Sequence, residues 1–253
     1  MKKLIAMALC VVLALGVLAG CGAAPQTDET AETAKKLVMA TNATFPPYEF
    51  YEGEKIVGID AEIAAAIAEK LGMELEIQDT EFGSIITGVQ TGKYDIGMAG
   101  MTVTDERKQS VNFSETYATG IQSVIVKEGS DIKTIDDIAG KKIAVQQDTT
   151  GHIYASEEYG DEAVIPFNKG TDAVAALVSD KADCVIIDNQ PAKSFVAANE
   201  GLIILDTDYA VEDYAICIAK ENTELLEKVN GALSELIADG TVQTIVDKYI
   251  DAE

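Results

Sequence analysis

The hydrophobic period of this chain switches between two and 3.6 residues, and it does so in the same order twice. Leu37 to Ala40 reads as a short apolar strand running into the polar loop Thr41-Asn42-Ala43-Thr44. Ile63, Ile67 and Leu71 then recur at helical spacing, predicting a helix with Asp60 as its N-cap and Gly72 beyond its end. Met73, Leu75 and Ile77 alternate with Glu74, Glu76 and Gln78, which is strand period. A helix over 84–91, stopped by Gly92, and a buried strand over 94–98 complete the first unit. After Lys141 the order repeats: strand 142–146, helix 150–159, strand 163–167, helix 171–179, strand 182–187. Both closing strands follow a Lys-x-Asp junction, Lys93-Tyr94-Asp95 and Lys181-Ala182-Asp183. The pattern predicts an α/β fold of two lobes, each a mainly parallel sheet flanked by helices. Two extended runs, Gly120 to Val126 and Tyr214 to Ala219, read as crossovers between the lobes. The helical stretch 222–239 and a last helix to Ile250 would then return to the first lobe, leaving a two-strand hinge.

The segment before Leu37 has a different character. Met1-Lys2-Lys3, the apolar run Leu4 to Leu18, and small residues before Cys21 describe a signal peptide over residues 1–20. Leu18-Ala19-Gly20-Cys21 resembles the lipobox of bacterial lipoproteins, which makes Cys21 the expected lipidation site. Residues 21–36 would be the lipidated end and a flexible tether. The expected domains are lobe 1 over 37–120 plus 218–253 and lobe 2 over 121–217, with hinge crossovers near 120–124 and 212–218. An exported chain, lipid-anchored at the outer face of the cytoplasmic membrane, is the expected location.

Charge narrows the partners. Lys and Arg number 19 against 43 Asp and Glu, a formal net charge of −24. Nucleic acid is excluded as a partner, because phosphate binding needs clustered cations. One His and four Cys without C-x-x-C spacing argue against a zinc site, and no metal or cofactor is expected. Cys184 and Cys217 sit in apolar runs and read as buried thiols, with a disulfide between them as the alternative.

In open α/β sheets ligands bind outside the carboxyl ends of strands. Asn42 to Phe45, Ala99 to Thr102, Gln146 to Gly151, and Asp188 all fall there, two clusters from each lobe. Arg107 is the chain's single arginine. It suits a bidentate grip on a carboxylate, or else a surface pair with Asp105 or Glu106. Asp188 could receive an ammonium or cap the helix starting near Pro191. Phe45 and Phe82 could wall an apolar ligand stem or simply pack in the core. Thr149, Thr150 and Gly151 could offer donors to an anion at a helix start, or form an ordinary capped turn. His152, the one histidine, has no ligating partners nearby in sequence and reads as a polar helix-start residue.

Four segments in register resemble the polar amino-acid group of extracellular solute-binding proteins, the receptors of ABC importers. They are Ala40-Thr41-Asn42-Ala43-Thr44-Phe45-Pro46-Pro47-Tyr48-Glu49-Phe50, Val57-Gly58-Ile59-Asp60, 97–107 (GMAGMTVTDER) and 144–151 (AVQQDTTG). The resemblance covers about Leu37 to Ile250 and implies the two-lobed periplasmic-binding-protein fold. It also implies capture of a polar L-amino acid and delivery to an ABC permease, without enzymatic activity. It assigns the ligand's α-carboxylate to Arg107, Thr102, Thr150 and the Gly151 amide. Asp188 with the Gly100 carbonyl, in the Ala99-Gly100 turn, would hold the α-ammonium. Phe45 and Phe82 would sandwich the side chain, and Asn42 and Gln146 would read its far end. Basic and glutamine binders commonly carry Asp where this chain has Asn42, so that position does not supply a counter-ion for a basic ligand; Glu81 or Asp148 could compensate. A sensory receptor partner, or a cyclic dehydratase on the same fold, are the rival readings.

Overall fold

The apolar run Leu37 to Ala40 sets β1 (Lys36–Thr41) inside a sheet, between two other strands, where Leu37, Met39 and Ala40 are fully buried. The computed structural model describes residues 35–206 and 209–250. The expected signal peptide, the expected lipidation site Cys21 and nearly all of the expected tether lie outside the described residues. Among those residues no helix is long and apolar enough to cross a membrane.

After β1 a small antiparallel sheet forms from β2 (Thr44–Phe45), β3 (Glu49–Glu52) and β4 (Lys55–Val57). Helix α1 (Ile59–Lys70) buries Ile63, Ile67 and Ala64. Its N-cap is Gly58, not Asp60: at φ 123 Gly58 tucks against Tyr48, whose carbonyl oxygen would lie 2.3 Å from any Cβ. Asp60 is thereby moved into the first turn and fully buried. β5 (Glu74–Asp79) pairs in parallel with β1. A 3₁₀ turn over Phe82–Ser84 precedes α2 (Ile85–Gln90), and the expected strand over 94–98 shortens to β6 (Ile96–Gly97). The short helix α3 (Asp105–Ser110) then leads into β7 (Val111–Lys127), a strand of 17 residues that extends well before the expected crossover.

The second half contains β8 (Ile143–Gln146), α4 (Thr150–Tyr159), β9 (Val164–Phe167), α5 (Gly170–Val178), β10 (Cys184–Asp188) and α6 (Asn189–Ala198). Strand β11 (Leu202–Ile204) pairs with β7, and β12 (Ala210–Ala219) recrosses the molecule. Helices α7 (Thr223–Ala238) and α8 (Thr241–Tyr249) pack on α1, with Lys70 reaching Glu235 at 3.0 Å. Asn222 caps α7 by accepting from the Leu225 amide.

The main sheet of the described residues runs β5-β1-β6-β12-β7-β10-β8-β9, with β11 also on β7. Its outer strands are parallel within each half (β1 with β5 and β6, β8 with β9 and β10). The central β7 and β12 are antiparallel to each other and to their neighbours. The architecture is therefore α/β, with helices flanking two parallel half-sheets that two long strands join. The three antiparallel pairings β6–β12, β12–β7 and β7–β10 set the two half-sheets in opposite directions, so the carboxyl ends of β1 and β6 face those of β8 and β10 across the span of the long strands. Cys184 and Cys217 are buried free thiols, so the disulfide alternative does not hold.

Ile67 has no exposed surface and belongs to the main apolar cluster beneath this sheet. Ile67→Ala is expected to cost about 2–5 kcal/mol through lost burial and a residual cavity. Urea unfolding would read this as a lower midpoint with an unchanged slope.

Candidate functional site

The loops at those facing strand ends line a small cavity. From the first half come Asn42 and Phe45 after β1, Phe82 in the 3₁₀ turn, Ala99, Gly100 and Thr102 after β6, and Arg107 in α3. The second half contributes Gln146, Thr150 and Asp188. Gly151 is not on the wall. It lies behind Thr150, where a Cβ would approach Gln122 and Ile186, so only its backbone amide remains for the role the resemblance implies.

Arg107 is 8% exposed, and its side chain makes no ion pair with any carboxylate of the described residues. Asp105 pairs with Lys108 instead, which removes the surface-pair reading. The guanidinium donates to the Thr102 carbonyl at 2.8 Å and to the Asp148 carbonyl at 3.1 Å, and it stacks 5.2 Å from the Phe82 ring centre. Burial pulls its pKa down, opposed by the carboxylates around it. Its backbone is fixed by Thr104, which caps α3 by accepting from the Arg107 amide.

Asp188 occupies the N-cap position of α6, yet its side chain accepts no bond from that helix. It accepts the Tyr214 hydroxyl instead. Burial raises its pKa from 3.8 to about 7, offset in part by that hydrogen bond. The opposite wall is shaped by Gly100 at φ +51, where a Cβ would sit 2.9 Å from the Phe45 ring. Gly100 thus lets the aromatic ring close over the backbone.

Hydrogen bonds join the two sides of the cavity. Gln146 donates to Asn42 at 3.0 Å, Asn168 to Glu81 at 2.8 Å, and the Thr102 and Thr150 hydroxyl oxygens stand 3.4 Å apart. Asn42 also donates to the Thr80 carbonyl and accepts from Thr44, which leaves one of its two amide N–H groups. Thr149 caps α4 through its hydroxyl and also lines the cavity. His152 stands in that first turn, where its Nδ1 accepts from the Asp148 amide. Neither Glu81 nor Asp148 presents its carboxylate to the cavity: Glu81 is taken by Asn168, and the Asp148 side chain packs on Gly83.

The structure adds acids that the sequence reading passed over. Glu49 lines the cavity, is 1% exposed, and its Oε2 has no partner. Burial beside Asp60 pushes its pKa well up. Asp60, directly behind, accepts from the Gly100 amide at 2.8 Å and from the Tyr117 hydroxyl at 2.9 Å. Burial raises its pKa to about 7, and those two bonds pull it back down. Glu212, on β12, accepts from Thr102, Gln122 and Thr150. Of these four buried carboxyl groups, Glu212 and Asp188 are the ones whose charge bears on the guanidinium. Among the described residues no group of three His, Cys, Asp or Glu is arranged to hold a metal. Chemically, the cavity offers a fixed cation for an anionic group, acids for cationic groups, and an aromatic slot between them.

The family model for bacterial extracellular solute-binding proteins, family 3, matches residues 37–252. The chain belongs to that family. Among similar proteins, the arginine-binding extracellular protein ArtP of Bacillus subtilis is 35% identical over 262 residues, covering 100% of both chains. An ancestral arginine-binding protein solved with glutamine bound is 39% identical, with a TM-score of 0.82 over 86% of this chain and 98% of that one. The arginine-, lysine-, histidine-binding protein ArtJ of Geobacillus stearothermophilus is 34% identical, with a TM-score of 0.82 over 87% of this chain and 96% of that one. Family membership explains why the fold coincides with that of solved binding proteins.

Asp60 and Asp188 bind protons more tightly in this solute-binding fold than in the unfolded chain, with a pKa near 7 in place of 3.8. The stabilisation is present below about pH 4 and is lost as pH rises towards 7. The ligand-free protein is therefore expected to melt at lower temperature at pH 7.5 than at pH 5. Asp188→Asn should flatten that slope in a calorimetric pH series. An unchanged slope would mean that Asp188 is already ionised at pH 5.

Proposed function

We propose that this chain captures an L-amino acid outside the cytoplasmic membrane and delivers it to the permease of an ABC importer. Arg107, with the Thr102 and Thr150 hydroxyls and the Gly151 amide, takes the α-carboxylate. Asp188 and the Gly100 carbonyl take the α-ammonium, and Phe45 and Phe82 hold the side chain. Asn42 and Gln146 close its far end. The single observation that carries this reading is a buried guanidinium without a carboxylate partner, facing a cavity that also contains a buried acid. A zwitterion satisfies both charges at once, and each charge-assisted hydrogen bond contributes ~1.5–3 kcal/mol net.

Delivery requires that the site open and close. Residues 37–120 with 218–253 form one lobe in this account and residues 121–217 the other, hinged near 120–124 and 212–218. The hydrogen bonds that cross between the halves support a closed arrangement, and only contacts made in that arrangement bias the equilibrium towards it. Export through residues 1–20 and lipid attachment at Cys21 would keep the protein beside its permease. Binding without chemical turnover is the expected activity.

A cationic side chain, arginine first, is the preferred ligand. A zwitterion engages Arg107 and Asp188 and leaves Glu49 on the wall with an unpartnered oxygen. Burial keeps a proton on Glu49 in the empty site, and a positive charge on the ligand's side chain would favour its ionised form and pair with it. The arginine-binding relatives support the same choice. A neutral amide such as glutamine is the second reading, favoured by the uncharged Asn42–Gln146 pair.

Binding to the folded state raises apparent stability. In a thermal-shift series over arginine, lysine, histidine and glutamine, arginine should raise the melting temperature most. Failure of every α-amino acid to do so would overturn the proposed function. Arg107→Ala should weaken binding by about 3–5 kcal/mol, because it strands a buried carboxylate. Calorimetry giving wild-type affinity for that variant would remove Arg107 from the site.

A further inference from the structure

Thr102 lies beyond β6 and Thr150 opens α4, so their hydroxyls come from the two halves of the molecule. A threonine hydroxyl owns one O–H and can donate to one acceptor at a time. Both hydroxyls lie within donating distance of the same atom, Glu212 Oε2, at 3.2 Å from Thr102 and 2.9 Å from Thr150. Gln122, on the companion crossover strand, donates to it as well at 3.0 Å. In this arrangement neither threonine has a proton left for a ligand carboxylate. Glu212 itself is 5% exposed, and its second oxygen, Oε1, has no partner. It is also the strongest of the negative charges that offset the burial of Arg107.

An acid in that position has the charge, the shape and the hydrogen-bond partners of the group the site is meant to receive. We propose that Glu212 is an internal stand-in for the ligand's α-carboxylate, holding the Thr102 and Thr150 O–H groups until an arriving carboxylate takes them over. The inference rests on the reading of Thr102, Thr150 and Arg107 as the carboxylate subsite. On ligand entry each hydroxyl rotates about its C–O bond from Glu212 to the ligand, and Glu212 keeps the Gln122 amide. The exchange conserves hydrogen bonds on the threonines, so the empty site is not left with unpaired buried hydroxyls. It also sets two carboxylates on either side of the same hydroxyl pair, and their repulsion holds affinity down. Glu212 lies on β12, which is paired with β7 at Gly120, so the stand-in sits on the crossover strands themselves. Its grip on Thr102 and Thr150 keeps the two halves linked when no ligand is present. Glu212 is thus a positioning residue acting through the threonines, and it favours release to the next carrier over tight retention.

Removing the charge distinguishes this from simple packing. In E212Q the new amide group can donate to a threonine oxygen, which turns both hydroxyl protons towards the cavity. Titration calorimetry of wild type and E212Q would use L-arginine and agmatine, which keeps the guanidinium and lacks the carboxylate. L-Arginine is expected to bind E212Q about tenfold more tightly than wild type, a difference of one carboxylate-directed interaction. Agmatine should bind both proteins equally within about twofold. A common factor for both ligands, or weaker arginine binding to E212Q, overturns the proposal and leaves Glu212 a packing residue. Should wild type bind lysine, histidine or glutamine in place of arginine, the side-chain reading fails alone. The same comparison then runs on that amino acid and its decarboxylated amine, because every α-amino acid carries the carboxylate. E212A, with its melting temperature measured in parallel, answers the same question if E212Q does not fold.

Discussion

A guanidinium removed almost wholly from water needs compensation, and two backbone carbonyls give only part of it. Arg107 receives those carbonyls from Thr102 in one half of the molecule and Asp148 in the other. Its donors therefore reach across the cleft before any ligand is considered. The stacking on Phe82 and the cap supplied by Thr104 fix the direction of the fork. The buried carboxyls, the aromatic slot and the course of the long strands β7 and β12 all become intelligible around that one fixed cation.

The acids carry the opposite cost. Asp60 and Asp188 are pushed towards neutrality by burial, and Glu49 further still. Such groups hold protons when the site is empty and give them up when a cation arrives. The overall charge of −24 has little bearing on this local balance, since most of the acids lie on exposed surface and act through steering and solubility. Selectivity rests on which acids are aimed inward, and on how the tyrosine hydroxyls of Tyr117 and Tyr214 hold them there.

Alternation and helical spacing made the order of strands and helices legible, and α4 begins and ends where the sequence placed it. The strand-end rule brought Asn42, Thr102, Gln146 and Asp188 to one cavity without knowledge of any ligand, whereas Arg107 reaches it from α3. Other features could not be read in this way. Asp60 looks like a helix cap because an acid before an apolar periodic run usually is one. The close packing of Gly58 on Tyr48 moves the helix start by two residues and buries the acid instead. Glu49 lies in a stretch where Glu52 and Glu54 are exposed, and nothing local marks one of the three as inward-facing. Only the β2–β3 pairing, which sets Glu49 opposite Phe45, decides it. Glu212 was hidden for a similar reason: its partners are 62 to 110 residues away in sequence. Local pattern fixes elements, whereas the inward acids are set by contacts distant along the chain.

The central claim is that Arg107 and Asp188 grip the two ends of one zwitterion. A crystal structure of the protein grown with L-arginine tests it most directly. The account predicts the α-carboxylate on the Arg107 guanidinium and the α-ammonium on Asp188, with the side chain between Phe45 and Phe82. An amino acid seated elsewhere, or bound with those ends reversed, would contradict it.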